Sequence, residues 1–308
     1  MRRIALVLLG LALGLGVRTG MAQDRCVTRL VVHPENAPVS ALSKIEISAG
    51  PETSVMHSCV APETPIRALV LLDSRPSMHY PSSKWSVAMV VLNDLVRSSP
   101  SGSQLGLLFS AGAVYEAIPL VDIPTFVRRM DSVSGDVMKL LGPAVSAPAT
   151  NPTLDEAIEQ AAARFPPPQP GDVIYVITDA TERDSRRSSG RTIDSLLARG
   201  TRLFSFIFVE DYYRFKERAL RPEWLMDMTK ATGGSWMQYE ALTDLDKRKA
   251  KETSDSLHRL YSEMHDICEV KFYVAKSAIA AKLKVKATDQ KGTAITLEYA
   301  SRLPGCSP

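Results

Sequence analysis

Apolar and polar positions along this chain follow two styles. Residues 26–33 (CVTRLVVH) and 43–50 (SKIEISAG) alternate apolar and polar side chains, rich in β-branched types and broken by Pro and Asn. That alternation predicts short strands of a small β region. From residue 66 the style changes. IRALVLL, residues 66–72, is a continuous apolar run ending at Asp73, the signature of a strand buried on both faces. A helix is predicted over 83–97, where Trp85, Ala88, Met89, Leu92 and Val96 recur at helical spacing. QLGLLFSAG and AVYEAIPL then predict two strands joined as a hairpin at a Gly. A helix at 122–133 follows, with Ile123, Phe126, Val127 and Met130 on one face.

The second half repeats the alternation. TLDEAIEQAAARF at 153–165 reads as a helix stopped by Pro166, Pro167 and Pro168. DVIYVITD is a second buried strand ending in an acid, Asp179. A helix near 190–199, the strand TRLFSFIFV, a helix at 222–232, the short strand SWMQY and a helix at 243–265 complete the series. After Cys268 the pattern reverts to strands, EVKFYVA, AKLKVKAT and AITLEYA, with Gln290-Lys291-Gly292 as the turn between the last two. Strands alternating with helices at this spacing predict an α/β fold, a doubly wound, mostly parallel sheet of Rossmann-like winding with small flanking β segments at both ends. The chain divides into 1–22, 23–64, 65–265 and 266–308, and the two flanks have the composition to form one small sandwich.

The first residues change the picture of compartment. Arg2 and Arg3, the apolar run IALVLLGLALGLGV and the small residues of Thr19-Gly20-Met21-Ala22 follow the order of a Sec signal peptide. The apolar run is shorter than the roughly 20 residues a bilayer span needs. No Cys stands at the cleavage position, so the expected product is soluble, secreted or periplasmic, with no transmembrane segment in the mature chain. Of 37 Lys and Arg, three lie in residues 1–22; 37 less 3 leaves 34, equal to the 34 Asp and Glu. A neutral mature chain gives no support for nucleic-acid binding. Four cysteines remain, Cys26, Cys59, Cys268 and Cys306, all outside the central segment. An even count in an oxidising compartment predicts disulfides. Sequence proximity favours Cys26 with Cys59 and Cys268 with Cys306, and crossed pairings stay open.

The candidate chemistry sits where strands end. In open parallel sheets, ligands bind at the carboxyl ends of strands near the switch point. Two strands here end in Asp73 and Asp179, the first followed by Ser74-Arg75-Pro76-Ser77, and Ala149-Thr150-Asn151 precedes the helix at 153. Two carboxylates with a Ser and a Thr make an oxygen-rich set suited to a hard divalent cation. The plainer reading is that these residues cap loops, with Ser77 starting one helix and Thr150 capping the next.

On these residues the sequence resembles the von Willebrand factor type A family and its metal-ion-dependent adhesion site. That family carries Asp-x-Ser-x-Ser after the first strand, a Thr before a later helix and an Asp after the fourth strand; Asp73, Ser77, Thr150 and Asp179 match. ATNPTLDEAI and VIYVITD are similar to the family's loop-helix and fourth strand, and the resemblance covers residues 65–265. The tail from DSLHRLYSEM onward, and PVSALSKIEISAG before the domain, resemble bacterial secreted proteins with related domains. The resemblance implies Mg²⁺ held by Asp73, Ser77, Thr150 and Asp179, with a protein ligand at the top of the sheet.

One position departs from the motif: Arg75 stands where the family has its first Ser. A guanidinium about 4 Å from Mg²⁺, at an effective dielectric near 20, costs about 8 kcal/mol. Either Arg75 points to solvent, or it lies between Asp73 and Asp179 and replaces the cation. The balance favours weak or absent metal, no certain cofactor, and ligand contacts from Arg75, Ser77, Thr150 and Asp179.

The expected function is a non-catalytic binding or adhesion module, the alternative a structural component of an envelope or secretion complex. A Ser77/His79 hydrolase is the remote third, because no Gly-x-Ser-x-Gly elbow is present. His33, His57, His258 and His265 are scattered without metal-ligand spacing. Gly233-Gly234 reads as the end of a helix. Arg183, Arg186, Arg187 and Arg191 read as a solvated loop, and Tyr212, Tyr213 and Phe215 as a contact surface or sheet-edge cover.

Overall fold

The computed structural model describes residues 25–35, 37–56, 59–62, 65–79, 83–110, 113–132, 153–180, 189–209, 222–240, 247–303 and 306. The expected leader, Thr150, the arginines at 183, 186 and 187 and the aromatics at 212, 213 and 215 lie outside them.

A six-stranded sheet forms the centre. Its strands are β4 (Arg67–Asp73), β5 (Gln104–Ser110), β6 (Val114–Asp122), β7 (Val173–Thr178), β8 (Arg202–Val209) and β9 (Trp236–Glu240), in the spatial order β6-β5-β4-β7-β8-β9. Counted from β4, that is the 3-2-1-4-5-6 order of doubly wound sheets, whose switch point lies between the first and fourth strands. All neighbours are parallel except β6, which returns antiparallel beside β5 as the hairpin predicts.

Every residue of β4 and β7 is buried, which is why Ala68–Leu72 and Val173–Ile177 read as unbroken apolar runs. Their side chains serve two cores by turns. Ala68, Val70 and Leu72 face one layer, built by α2 (Ser83–Ser98), α3 (123–132) and α7 (Lys247–His265). Leu69 and Leu71 face the other, built by α4 (Leu154–Ala162), α5 (Ser189–Arg199) and α6 (Glu223–Ala231). At the lower end of β4, Arg67 donates to both carboxylate oxygens of buried Asp172 at 2.8 and 2.7 Å and to the carbonyls of Pro166 and Pro167. This ties the start of β4 to the loop that feeds β7.

The flanks join into two small sheets that mix both chain ends. One has β10 (Cys268–Ala275), β1 (Arg25–Pro34) and β13 (Leu297–Tyr299). The other has β12 (Ala294–Ile295), β11 (Leu283–Thr288), β2 (Lys44–Ala49) and β3 (Glu52–Met56). They share one core, with Leu30, Val32, Ile45, Ile47, Val270, Phe272 and Leu283. Two local expectations change here. Residues 52–56 form a strand that periodicity did not mark. AITLEYA, read as one strand, divides at Thr296, its halves joining different sheets.

The same interleaving corrects the favoured disulfide pairing. The bonds are Cys26–Cys306 and Cys59–Cys268. β1 runs antiparallel along β10, placing Cys26 opposite Val274, and Val60 bridges Glu269. Each N-terminal cysteine therefore meets the C-terminal flank and not its sequence neighbour. The loops closed span 280 and 209 residues, long enough that the entropic gain approaches the upper end of what a disulfide gives, about 4–5 kcal/mol.

The flank docks under the last helices of the central unit. His33 Nδ1 lies 2.6 Å from the Asp266 carbonyl, Ser301 N donates to Ala231 O, and Thr232 bridges Ala300. Gly233 and Gly234 end α6, as read from sequence. Gly233 has φ of +76°, and a Cβ on Gly234 would fall on the Leu203 carbonyl, so this approach needs glycine.

Candidate functional site

Parallel strands end together, so β4 and β7 bring Asp73 and Asp179 to one edge of the sheet at the switch point. A short helix, α1 (Pro76–His79), follows β4, and α2 begins at Ser83. Ser77 thus sits inside α1, and the side chains of this loop pack down onto the strand ends.

Asp73 is fully buried. Its Oδ1 accepts from Arg75 N at 3.1 Å and Arg75 Nε at 2.8 Å. Its Oδ2 accepts from Arg75 Nη2 at 2.5 Å and from Thr178 Oγ1 at 2.6 Å. A carboxylate has about four lone-pair positions, and these four bonds occupy them. Arg75 folds back onto the residue two before it, its side chain 14% exposed. Of the two placements open in the sequence, it is not the one in solvent. Thr178 is fixed in turn, because its Oγ1 accepts from Ala180 N at 2.9 Å. Ala180 has φ of +48°, a left-handed conformation that costs a non-glycine residue about 1–2 kcal/mol. That strain lies beside Asp179, at the functional edge of the sheet.

Asp179 has its own cation, which the sequence reading missed. Lys84 Nζ donates to Asp179 Oδ2 at 3.0 Å and to the Ser77 carbonyl at 3.0 Å, with both side chains 1% exposed. The buried face of α2 carries Lys84, Ala88, Val91, Leu92 and Leu95, while Trp85, Met89 and Val96 are only partly buried. The expected stripe is rotated slightly from the observed one. Lys84 falls four residues before Ala88 on the buried stripe, and a lysine at such a position was the available signal. Lysine is almost never fully buried unless paired.

A divalent cation does not fit this arrangement. The lone-pair positions of Asp73 are filled, an ammonium holds Asp179, and two positive charges already lie at the carboxylates. Ser77 contributes its carbonyl to Lys84. Thr150, the fourth implied ligand, lies outside the described residues, and the N-cap of α4 is Thr153, whose N–H donates to Glu156 Oε2 at 3.1 Å. Among the described residues, no group of three or more His, Cys, Asp and Glu is placed to hold a metal.

The hydrolase pair does not assemble either. His79 Nε2 lies 3.1 Å from the Ser74 carbonyl, and the ring stacks on Trp85 at 4.8 Å between centroids. His79 thus closes the loop over the sheet. Arg191, the described member of the arginine cluster, lies on α5 and not in a loop, with its side chain 68% exposed and 3.6 Å from Glu159.

A second polar cluster lies at the side of the sheet, where β9, α7 and β13 meet. A cavity of about 630 Å³ there is bordered by Glu35, Ser235, Tyr239, Arg259, Glu263 and Glu298, among others. Both oxygens of Glu298 rely on one donor, Ser235 Oγ, at 3.1 and 3.0 Å. Burial, followed by the neighbouring Glu263 carboxylate, pushes the Glu298 carboxyl up to about 7. Nearby Arg202 donates to the carbonyls of Glu263 and Met264 at the end of α7. Burial lowers its guanidinium to about 10 and the His265 imidazole to about 4.

No family model matches the sequence, and no curated protein matches it. Among solved structures the chain is similar to BatB, a conserved hypothetical protein of Bacteroides thetaiotaomicron, at 16% identity and a TM-score of 0.44, over 62% of this chain and 98% of that one. It is similar to a von Willebrand factor type A protein from Catenulispora acidiphila at 11% identity and a TM-score of 0.45, over 92% of this chain and 75% of that one. It is also similar to VWA2, an ArnB paralog from Sulfolobus acidocaldarius, at 13% identity and a TM-score of 0.41, over 91% and 76%. These values are too low to carry an argument. The chain's own features carry it: the 3-2-1-4-5-6 sheet with one antiparallel edge, and Asp73 and Asp179 ending the two strands at its switch point. The central unit has a doubly wound α/β fold with one antiparallel edge strand, the architecture that the resemblance to the von Willebrand factor type A family implies.

Proposed function

We propose that the protein is an exported, non-catalytic binding module that recognises a protein ligand at the top of its central sheet with weak or absent metal dependence. The observation that carries this reading is the state of the switch point. Ligands of doubly wound sheets gather there, and here the position is built from internally paired charges, Asp73 with Arg75 and Asp179 with Lys84. No nucleophile and oriented base accompany them among the described residues, since His79 is engaged with Ser74 and Trp85. Arg75, Ser77, Thr150 and Asp179 are the proposed contacts. Two disulfides fit an oxidising compartment, and no described helix is long and apolar enough to cross a membrane.

The flank favours a second reading, a structural or assembly role. Tyr273 on β10 is 66% exposed, and Val60 and Val55 are exposed on the same flank, which suits contact with another chain. Partner capture with the full chain separates the two readings. Under the first, Pro76→Arg on the exposed rim of the top loop abolishes capture and Tyr273→Ser leaves it intact. Loss with Tyr273→Ser alone would reassign the interface to the flank.

A further inference from the structure

The family resemblance implies one divalent cation between Asp73 and Asp179. We infer that this chain has replaced that ion with two of its own side chains, Arg75 on Asp73 and Lys84 on Asp179, so that the site is complete in charge and takes no divalent metal.

Charge supports the replacement first. One Mg²⁺ brings two positive charges to two carboxylates, and a guanidinium and an ammonium bring the same two. Adding a divalent ion to the filled site would leave two excess positive charges in a buried position. Its repulsion with the Arg75 guanidinium alone would oppose the ion's entry.

Geometry supports it second. A hard cation gathers oxygens from separate segments. The Lys84 ammonium does this, taking the Asp179 carboxylate from the end of β7 and the Ser77 carbonyl from α1 while anchored on α2. It joins the loop after β4 to the end of β7 with a covalently attached charge. Arg75 does the corresponding work within its own loop, holding Asp73 through two guanidinium nitrogens and the backbone N–H.

Burial is the third support. Lys84 and Asp179 are each 1% exposed at the side chain and Asp73 is 0% exposed. Buried charges persist when paired and hydrogen-bonded, and both pairs meet that condition without an ion. The site therefore lacks the open coordination position that a ligand carboxylate would complete in the metal-bearing family. Recognition at this face would be indifferent to chelators. The inference goes beyond the binding reading and holds whether or not a protein docks there.

The test uses the full mature chain, with MnCl₂ and MgCl₂ as the probes in calorimetry and thermal melts. The wild type is expected to give no saturable heat at metal concentrations up to about 1 mM, a binding free energy weaker than about −4 kcal/mol. Its melting temperature should be the same in Mn²⁺ and in EDTA. The double variant Arg75→Ser with Lys84→Met removes both of these cations from the two carboxylates and restores the family's Ser. It is expected to gain Mn²⁺ binding at least tenfold and to melt higher with Mn²⁺ than with EDTA. If it folds only when Mn²⁺ is present, refolding yield with and without the ion reads the same gain. Saturable Mn²⁺ binding to the wild type that Asp179→Asn removes would overturn the inference. So would a folded double variant that binds Mn²⁺ no better than the wild type. Neither measurement involves a partner, so a failed search for a ligand would count against the binding reading alone.

Discussion

The top of the central sheet and the groove at its side treat carboxylates in opposite ways. At the top, each buried aspartate has a cation of its own, Asp73 with Arg75 and Asp179 with Lys84. At the side, Glu298 shares its surroundings with Glu263 and Glu35, and one serine hydroxyl serves both its oxygens. The first region is matched in charge and geometrically closed. In the second, burial first and then the neighbouring carboxylates outweigh Ser235 and Arg202, so the Glu298 carboxyl keeps its proton up to about neutral pH.

The largest effect should come from unlocking the top. Lys84→Met leaves Asp179 buried without its ammonium and is expected to cost about 3–5 kcal/mol, read by urea unfolding. Adding Asp179→Asn removes the stranded charge, so the double variant should recover more than half of that loss. A coupling below about 0.5 kcal/mol in this cycle would mean that the pair is incidental.

The side groove should respond to pH instead. Glu298 is pushed up to about 7 in the folded protein from its ordinary value of 4.5, so the folded protein holds this proton more tightly than the unfolded chain. The associated stability is fully present below pH 4.5 and is lost as pH rises through 7. The group is partly open to solvent, so the effect after screening is on the order of 1 kcal/mol. Glu298→Gln keeps an acceptor for Ser235 and should stabilise by about that amount at pH 8 while changing little at pH 4. Equal stabilisation at both pH values would point to packing rather than charge. Smaller still, Glu263→Gln removes the neighbouring negative charge that adds to burial in raising Glu298. The Glu298 carboxyl resonance should then titrate at lower pH in carbon NMR, with global stability nearly unchanged.

The two regions also differ in how far the sequence discloses them. The top is partly legible because its residues follow strand ends: Asp73 and Asp179 close apolar runs, and Arg75 stands out against the motif it interrupts. Lys84 is harder to see. Assigning the stripe of α2 to Trp85 and Met89 instead of Val91 and Leu95 turns the helix enough to place the lysine in solvent. The side groove is not legible at all, since Glu35, Glu263 and Glu298 lie on three distant segments that only the docked flank brings together. The disulfides fail for the same reason, because pairing follows the register of β1 on β10 and not spacing along the chain. The central sheet, by contrast, is written locally. The buried strands are apolar between the polar residues at their ends, and the helices between them keep their own period.

The central claim is that a guanidinium and an ammonium occupy the place of a divalent ion. Crystals of the protein grown with Mn²⁺ and measured for anomalous scattering decide whether they do. The account predicts no anomalous peak between Asp73 and Asp179, with Arg75 on Asp73 and Lys84 on Asp179. A peak within about 2.2 Å of both aspartates, with Arg75 turned to solvent, would contradict it.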